Sequence, residues 1–128
     1  MRIRCITEHP NREQVRQLGT YYRPGKTIFP VNNGQQYTVL GIGTWDGVHW
    51  VEIETPTEDV VSVPLFLFEV VDGTPSHLWE IRVHEDGALT LWPTPFYDEF
   101  FHSRLSDDVP DAVAEFRALK QRMAEEDG

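Results

Sequence analysis

The clearest alternation of apolar and polar residues runs through segments 37–44 and 48–54, which flank Trp45-Asp46-Gly47. Asp-Gly is a strong signal for a two-residue β-hairpin turn, because both central positions of that turn need a positive φ. Such a turn pairs Ile42 with Val51 and Leu40 with Ile53, and it places all four on the core face. The opposite face then receives six residues: Gly41, Gly43, Trp45, Trp50, Glu52 and Glu54.

A second alternating segment, 78–84, predicts a strand with Trp79, Ile81 and Val83 facing the core. A hairpin turn follows at Glu85-Asp86-Gly87. A two-residue turn would put the apolar faces of the two strands out of phase. A three-residue loop with Gly87 in the left-handed conformation pairs Val83 with Leu89 and Ile81 with Leu91, so we predict that loop.

Local signals mark three further elements in the first 75 residues. Residues 2–7 read as a first strand, and residues 60–71 as another strand that bends at Pro64. Asn11 and Gln14 have the spacing of a capping box, which predicts a short helix that ends at Gly19. Residues 21–36 form a predicted loop, and residues 72–75 a predicted turn.

The C-terminal part is predicted to be helical. Residues 95–105 favour one short helix, and a second begins at Asp108, with Pro110 tolerated in its first turn. Apolar residues then recur at helical spacing and need a surface to cover. This stripe consists of Val109, Ala112, Val113, Phe116, Leu119 and Met123.

Together these elements predict a mainly β, α+β fold in a single domain, 1–128. Its β-rich part is 1–93 and its helical C-terminal segment is 95–125. Short strands with glycine-marked turns favour an antiparallel sheet that is curled or closed into a small SH3-like barrel. A flatter sheet covered by the last helix is the alternative.

Charge is distributed unevenly along the chain. The net charge is −10, and residues 27–81 contain eight carboxylates but no Lys or Arg. Such a surface repels nucleic acid and anionic lipid and speeds encounter with a basic protein, although acidity also serves solubility alone. One cysteine, no apolar run of membrane-spanning length and no signal-peptide core lead us to expect a cytoplasmic protein.

Catalytic and metal-binding motifs are not evident in the sequence. Cys5 and His9 are close together, but no third group that would orient a nucleophile is implied. Glu99 and His102 have the spacing of one helical face, yet a di-metal site needs two such motifs and two further Glu residues. We therefore expect no catalytic residues, no metal and no cofactor.

The most informative candidate surface is the acidic and aromatic one around the first hairpin. Trp50 is interpreted either as an exposed anchor ringed by carboxylates or as a ring packed beneath the last helix. Trp45 at the turn is either exposed or folded back over Gly43. The predicted partner-binding residues are Trp45, Trp50, Glu52, Glu54, Glu58, Asp59, Glu85 and Asp86.

One segment carries a family resemblance. Phe66-Leu-Phe-Glu-Val-Val-Asp-Gly-Thr-Pro-Ser-His-Leu-Trp-Glu-Ile, with the hairpin that begins Tyr37-Thr-Val-Leu-Gly-Ile, resembles immunity proteins of polymorphic and contact-dependent bacterial toxin systems. The similarity spans roughly residues 36–105 and consists of core aromatics and turn formers. It implies a cytoplasmic inhibitor that occludes the active site of a cognate toxin, for example a basic nuclease.

The sequence is also compatible with three other functions. An SH3-like adaptor would hold a peptide in an aromatic groove of Tyr21, Tyr22, Trp45 and Trp50. An acidic mimic of nucleic acid would rely on charge alone. A small hydrolase would need a concave pocket with convergent titratable groups, which nothing in the sequence implies.

Overall fold

The computed structural model describes residues 1–127 as eight strands and three α-helices joined by turns. The helices are α1 Arg12–Leu18, α2 Phe101–Ser106 and α3 Pro110–Asp127. The strands are β1 Arg2–Cys5, β2 Gln36–Thr38, β3 Gly41–Trp45, β4 Val48–Glu54, β5 Val60–Pro64, β6 Phe68–Asp72, β7 Trp79–Val83 and β8 Leu89–Pro93. No helix within these residues is both long and apolar enough to cross a bilayer.

The strands form two antiparallel sheets, in the orders β2-β1-β6 and β5-β4-β3-β8-β7. The prediction of a mainly β, α+β fold with C-terminal helices is confirmed, while residues 1–127 contain no closed barrel. The chain changes sheet three times, between β2 and β3, between β5 and β6, and between β6 and β7. The strand predicted at 37–44 divides at Val39 and Leu40, and the strand predicted at 60–71 breaks after Pro64 into a 3-10 turn, Leu65–Leu67.

The first hairpin has the predicted turn and register. Asp46 and Gly47 both have positive φ, and Ile42 lies opposite Val51. Leu40 departs from the prediction. It donates its backbone N–H to the Glu52 carbonyl, but its side chain packs with the helices and not with Ile42 and Val51. The division between β2 and β3 accounts for this change of face.

The second hairpin also has the predicted three-residue loop. Gly87 has a φ of 89°, and Val83 pairs with Leu89 while Ile81 pairs with Leu91. The burial predicted for Ile81 and Val83 is wrong, because Ile81 is 64% exposed and Val83 is 73% exposed, whereas Trp79 packs against the core as predicted. β7 is an edge strand, and the core between the sheets lies under β4 and β5 at the opposite edge.

Two larger clusters and one small cluster make up the core. The first lies between the sheets and includes Ile3, Ile53 and Leu67. The second joins α2 and α3 to the other face of the large sheet, with Phe101 and Phe116 at its centre. Trp79 connects the two, because its ring contacts both and its indole N–H donates to the Leu40 carbonyl at 2.9 Å.

Helix ends follow the local sequence. Asn11 caps α1 in a complete capping box with Gln14, and Gly19 ends the helix as predicted. The helix predicted at 95–105 is divided into a 3-10 turn, Thr94–Tyr97, and α2. The apolar stripe of α3 faces the core as predicted, with Ala112, Phe116, Leu119 and Met123 buried and Val109 and Val113 half-buried.

Phe116→Ala tests whether the α3 stripe stabilises the fold. The ring is 1% exposed, so we expect its loss to lower the free energy of unfolding by about 3–5 kcal/mol. Denaturant titration measures this change. The matched control Gln121→Ala lies on the exposed side of α3 and should change stability by less than about 0.5 kcal/mol. A loss below about 1 kcal/mol for Phe116→Ala would contradict the packing described.

Candidate functional site

The predicted acidic strand edge is not a free surface, because α3 supplies cations that the local sequence lacks. Lys120 Nζ lies 2.5 Å from Glu54 Oε2, and Arg117 donates to Glu58 Oε2 at 2.9 Å. The hydrogen bond and charge of Arg117 lower the pKa of Glu58 below its ordinary value. Asp59 accepts hydrogen bonds from Ser106 Oγ at 3.0 and 3.1 Å. Glu54, Glu58 and Asp59 therefore serve to hold the helices on the sheet.

Trp50 is not the exposed anchor that one interpretation required. Its ring is 4% exposed and lies in a small cluster with Leu18 and Val48, so α1 covers it and not the last helix. The Trp45 ring stacks on it with centroids 5.3 Å apart, and the Tyr21 ring meets it edge-on. The indole N–H of Trp50 is buried without a partner in the described chain.

Trp45 takes the second of the two positions considered for it, folded back over Gly43. A Cβ at residue 43 would overlap the six-membered ring of Trp45. Gly41 has the same relation to a second tryptophan, because a Cβ there would lie 2.7 Å from Cδ1 of Trp92. Both indole rings thus lie close against β3 where its side chains are missing.

The aromatic groove expected for an adaptor is closed. Its four residues do come together, but Trp45, Trp50 and Tyr21 pack on one another, and Tyr22 stacks on Phe29. Only Tyr21 is more than about a third exposed, at 44%, and its hydroxyl donates to Asp46 Oδ2 at 2.6 Å.

A cavity of about 710 Å³ opens beside these rings. Since β3 pairs with β8, the turns of the two hairpins lie at the same end of the sheet and both border the opening. Thirteen residues line it, and none is Lys or Arg: Tyr21, Trp45, Asp46, Glu52, Val60, Ser62, His84, Glu85, Asp86, Ala88, Thr90, Trp92 and His102.

Glu52 lines the cavity and is 6% exposed. Ser62 Oγ donates to Glu52 Oε1 at 2.6 Å. Burial raises the pKa of the Glu52 carboxyl above its ordinary value, and the Ser62 hydrogen bond opposes this shift. No cation of the described chain pairs with this carboxylate, although Lys120 pairs with Glu54 two residues later on the same strand.

Three carboxylates, Asp46, Glu85 and Asp86, form what we call the acidic rim of the cavity. None of them is in an ion pair with any residue of the described part of the chain; Asp46 accepts from Tyr21 and Asp86 from the Ala88 N–H. The hydrogen bond to Asp46, then burial, then the charges of Asp46 and Asp86 raise the pKa of Tyr21. The rim therefore creates a region of negative potential.

Two histidines also line the cavity. His102 is half-buried with its ring edge against Phe96, and burial lowers its pKa. His84 Nε2 lies 2.9 Å from Thr90 Oγ1, and the Tyr97 hydroxyl lies 2.8 Å from the same oxygen. Within residues 1–127, no group of three or more His, Cys, Asp or Glu side chains is placed to hold a metal ion.

The sequence predictions included only part of this site. Trp45, Glu52, Glu85 and Asp86 were predicted for a partner surface and do line the cavity, although Glu52 lies inside it and not on an open edge. Asp46, Trp92 and His102 were missed as site residues. The sequence signal for the cavity was the pair Gly41 and Gly43 on one face of a central strand, since such glycines often mark close approach of other groups.

Comparison with protein-family models, with curated proteins and with solved structures gives no match to this chain.

Gly43→Ala tests whether the cavity wall depends on the missing side chain. The new methyl group must displace the Trp45 ring, so we expect a loss of about 1–3 kcal/mol and a change in tryptophan fluorescence. Gly73→Ala is the matched control, because its nearest atom, Val70 Cγ1, lies at an ordinary contact distance of 3.5 Å. Equal stabilities of the two variants would show that Trp45 does not lie on β3.

Glu52→Gln tests the effect of burial on the carboxyl. Since its pKa is raised above the ordinary 4.5, the folded state retains a proton that the unfolded chain has lost, and stability falls as pH rises through the folded-state pKa. Gln cannot ionise and still accepts from Ser62. We therefore expect the variant to be more stable than wild type above the folded-state pKa, with the difference shrinking towards pH 4.

Urea titrations across this pH range measure that difference, with Glu115→Gln on the exposed face of α3 as the control for loss of one charge. The other titratable residues that line the cavity, His84, His102, Asp46, Glu85 and Asp86, are unchanged in both variants. A Glu52→Gln protein less stable than wild type at pH 7 would contradict the expectation.

Proposed function

We propose that this chain is a non-catalytic inhibitor that binds a basic protein, and specifically an immunity protein that neutralises a bacterial toxin. The observation that carries the proposal is the acidic rim. Asp46, Glu85 and Asp86 stand together at the mouth of an aromatic-walled cavity that contains no Lys or Arg within the described chain. The resemblance of residues 36–105 to immunity proteins supports the specific form.

The charge pattern of the fold adds support. The chain has 11 basic residues against 21 acidic ones, and many of the basic residues are paired internally. Arg4, Arg16, Arg82, Arg104, Arg117 and Lys120 each lie within ion-pair distance of a carboxylate. The carboxylates of the rim are therefore left to attract a basic partner over distances of about a Debye length, roughly 8 Å at physiological salt.

The proposed mechanism is steric and electrostatic. The rim steers the partner to the hairpin end of the molecule, and contact between the two proteins covers the partner's active site or substrate groove. Residues Trp45 and Tyr21 supply the aromatic contact area beside the rim. The proposal includes a cytoplasmic location, and it excludes nucleic acid and membranes as partners, because the rim would repel phosphate groups.

One observation favours a second candidate function, a small-molecule site or a hydrolase. The cavity has the size of a ligand pocket, and two of its titratable residues, Glu52 and His102, have pKa values shifted in opposite directions. A small-molecule site would not produce salt-dependent association with a protein. Association kinetics therefore separate the two functions.

The test uses as partner the toxin domain encoded by the gene adjacent to the one that encodes this protein. Co-expression in a bacterial host should restore the growth that the toxin domain alone abolishes. Neutralising the rim with Asp46→Asn, Glu85→Gln and Asp86→Asn should lower the association rate about tenfold or more at low salt and flatten its salt dependence. Asn, which replaces Asp46, tolerates the left-handed backbone at that position. The new side chains also retain an oxygen that accepts a hydrogen bond. Stopped-flow fluorescence measures the rates.

The control variant removes three charges elsewhere, by Asp107→Asn, Glu115→Gln and Glu125→Gln, none of which lines the cavity. Its association rate should fall by less than about threefold, because only the net charge has changed. Equal effects of the two triple variants would mean that the rim is not the contact surface. Failure to protect growth, or an acidic toxin domain, would overturn the proposed function.

A further inference from the structure

The cavity holds a buried acid whose counter-ion the described chain does not provide. Glu52 is 6% exposed, Ser62 Oγ donates to its Oε1, and no ion pair within residues 1–127 reaches it. An ionised carboxylate is costly to bury unless it is paired. Glu54 and Glu58, near it in sequence, obtain cations from α3. Glu52 alone among these three faces the cavity.

The walls of the cavity suit a cationic group. Trp45, Trp92 and Tyr21 line it, and cations bind to aromatic rings. Asp46, Glu85 and Asp86 border the entrance, and no Lys or Arg lines the cavity in the described part of the chain. Burial lowers the pKa of His102, which favours the neutral form of this histidine.

We propose that the cavity receives the guanidinium group of an arginine side chain presented by the basic partner, with Glu52 Oε2 as its acceptor. This inference rests on the proposed function. Arginine is favoured over lysine because the planar guanidinium stacks on indole rings and donates to a carboxylate through a fixed fork of N–H groups. The site would thus explain how the partner is held after the acidic rim has attracted it.

The first test uses a small probe and the whole chain. N-acetylarginine amide is titrated against the protein while NMR follows the indole N–H signals of Trp45 and Trp92. We expect both signals to shift, and Glu52→Gln to weaken binding about tenfold or more. The uncharged analogue N-acetylcitrulline amide should not bind. Glu115→Gln is the matched control and should bind like wild type.

Three results would overturn the guanidinium site: equal binding of the arginine and citrulline compounds, equal binding to wild type and Glu52→Gln, or no signal change up to about 50 mM probe. Glu52→Gln keeps the shape of the side chain and the acceptor for Ser62, and urea titration verifies that the variant is folded.

The second test uses the toxin domain. Glu52→Gln should raise its dissociation rate about tenfold to a hundredfold and leave the association rate nearly unchanged, because a buried contact acts after encounter. An unchanged dissociation rate would overturn the inference and leave the proposed function standing. A third outcome is that the arginine compound binds in a Glu52-dependent way but the toxin domain does not bind at all. The guanidinium site would then stand, but its assignment to a protein partner would be overturned. This outcome would also count against the proposed function.

Discussion

The candidate site depends on the absence of side chains at Gly41 and Gly43 in the central strand β3. The Trp45 ring occupies the space over Gly43 and the Trp92 ring the space beside Gly41. Trp45 in turn covers Trp50. Both rings line a cavity that lies between the hairpin turns and α2. Glu52 reaches this cavity from β4, where it lies opposite Gly41.

A carboxylate in such a position lowers stability, whereas Glu54, the other acid of the same strand, is paired with Lys120. Desolvation raises the pKa of Glu52, whereas Arg117 lowers that of Glu58. The two residues are close in sequence but differ in what the fold places next to them. A perturbed pKa at a carboxyl that has no internal cation is typical of functional sites, where the binding of another molecule supplies the missing charge.

Local features of the fold could be predicted from the sequence, while the site could not. Both hairpin turns, their registers and the α1 capping box depend on residues within a few positions of one another. The pairing of Glu54 with Lys120 joins residues 66 positions apart, so no local pattern revealed it. The exposure of Ile81 could not be predicted for a related reason. Alternation determines which residues share a face of the sheet, but not whether another element covers that face.

The three places where the chain crosses between sheets bear on how the protein folds. Residues 36–45 contribute β2 to one sheet and β3 to the other, residues 60–72 do the same with β5 and β6, and residues 68–83 return the chain from β6 to β7. Neither sheet is made of one continuous stretch of chain, so neither can complete its hydrogen-bonded ladder as an independent unit. Strand β1 can form its second set of hydrogen bonds only when β6, more than 60 residues later in the chain, is available. Such non-local closure favours a single cooperative transition and slow folding, with little native structure formed before most of the chain has been synthesised.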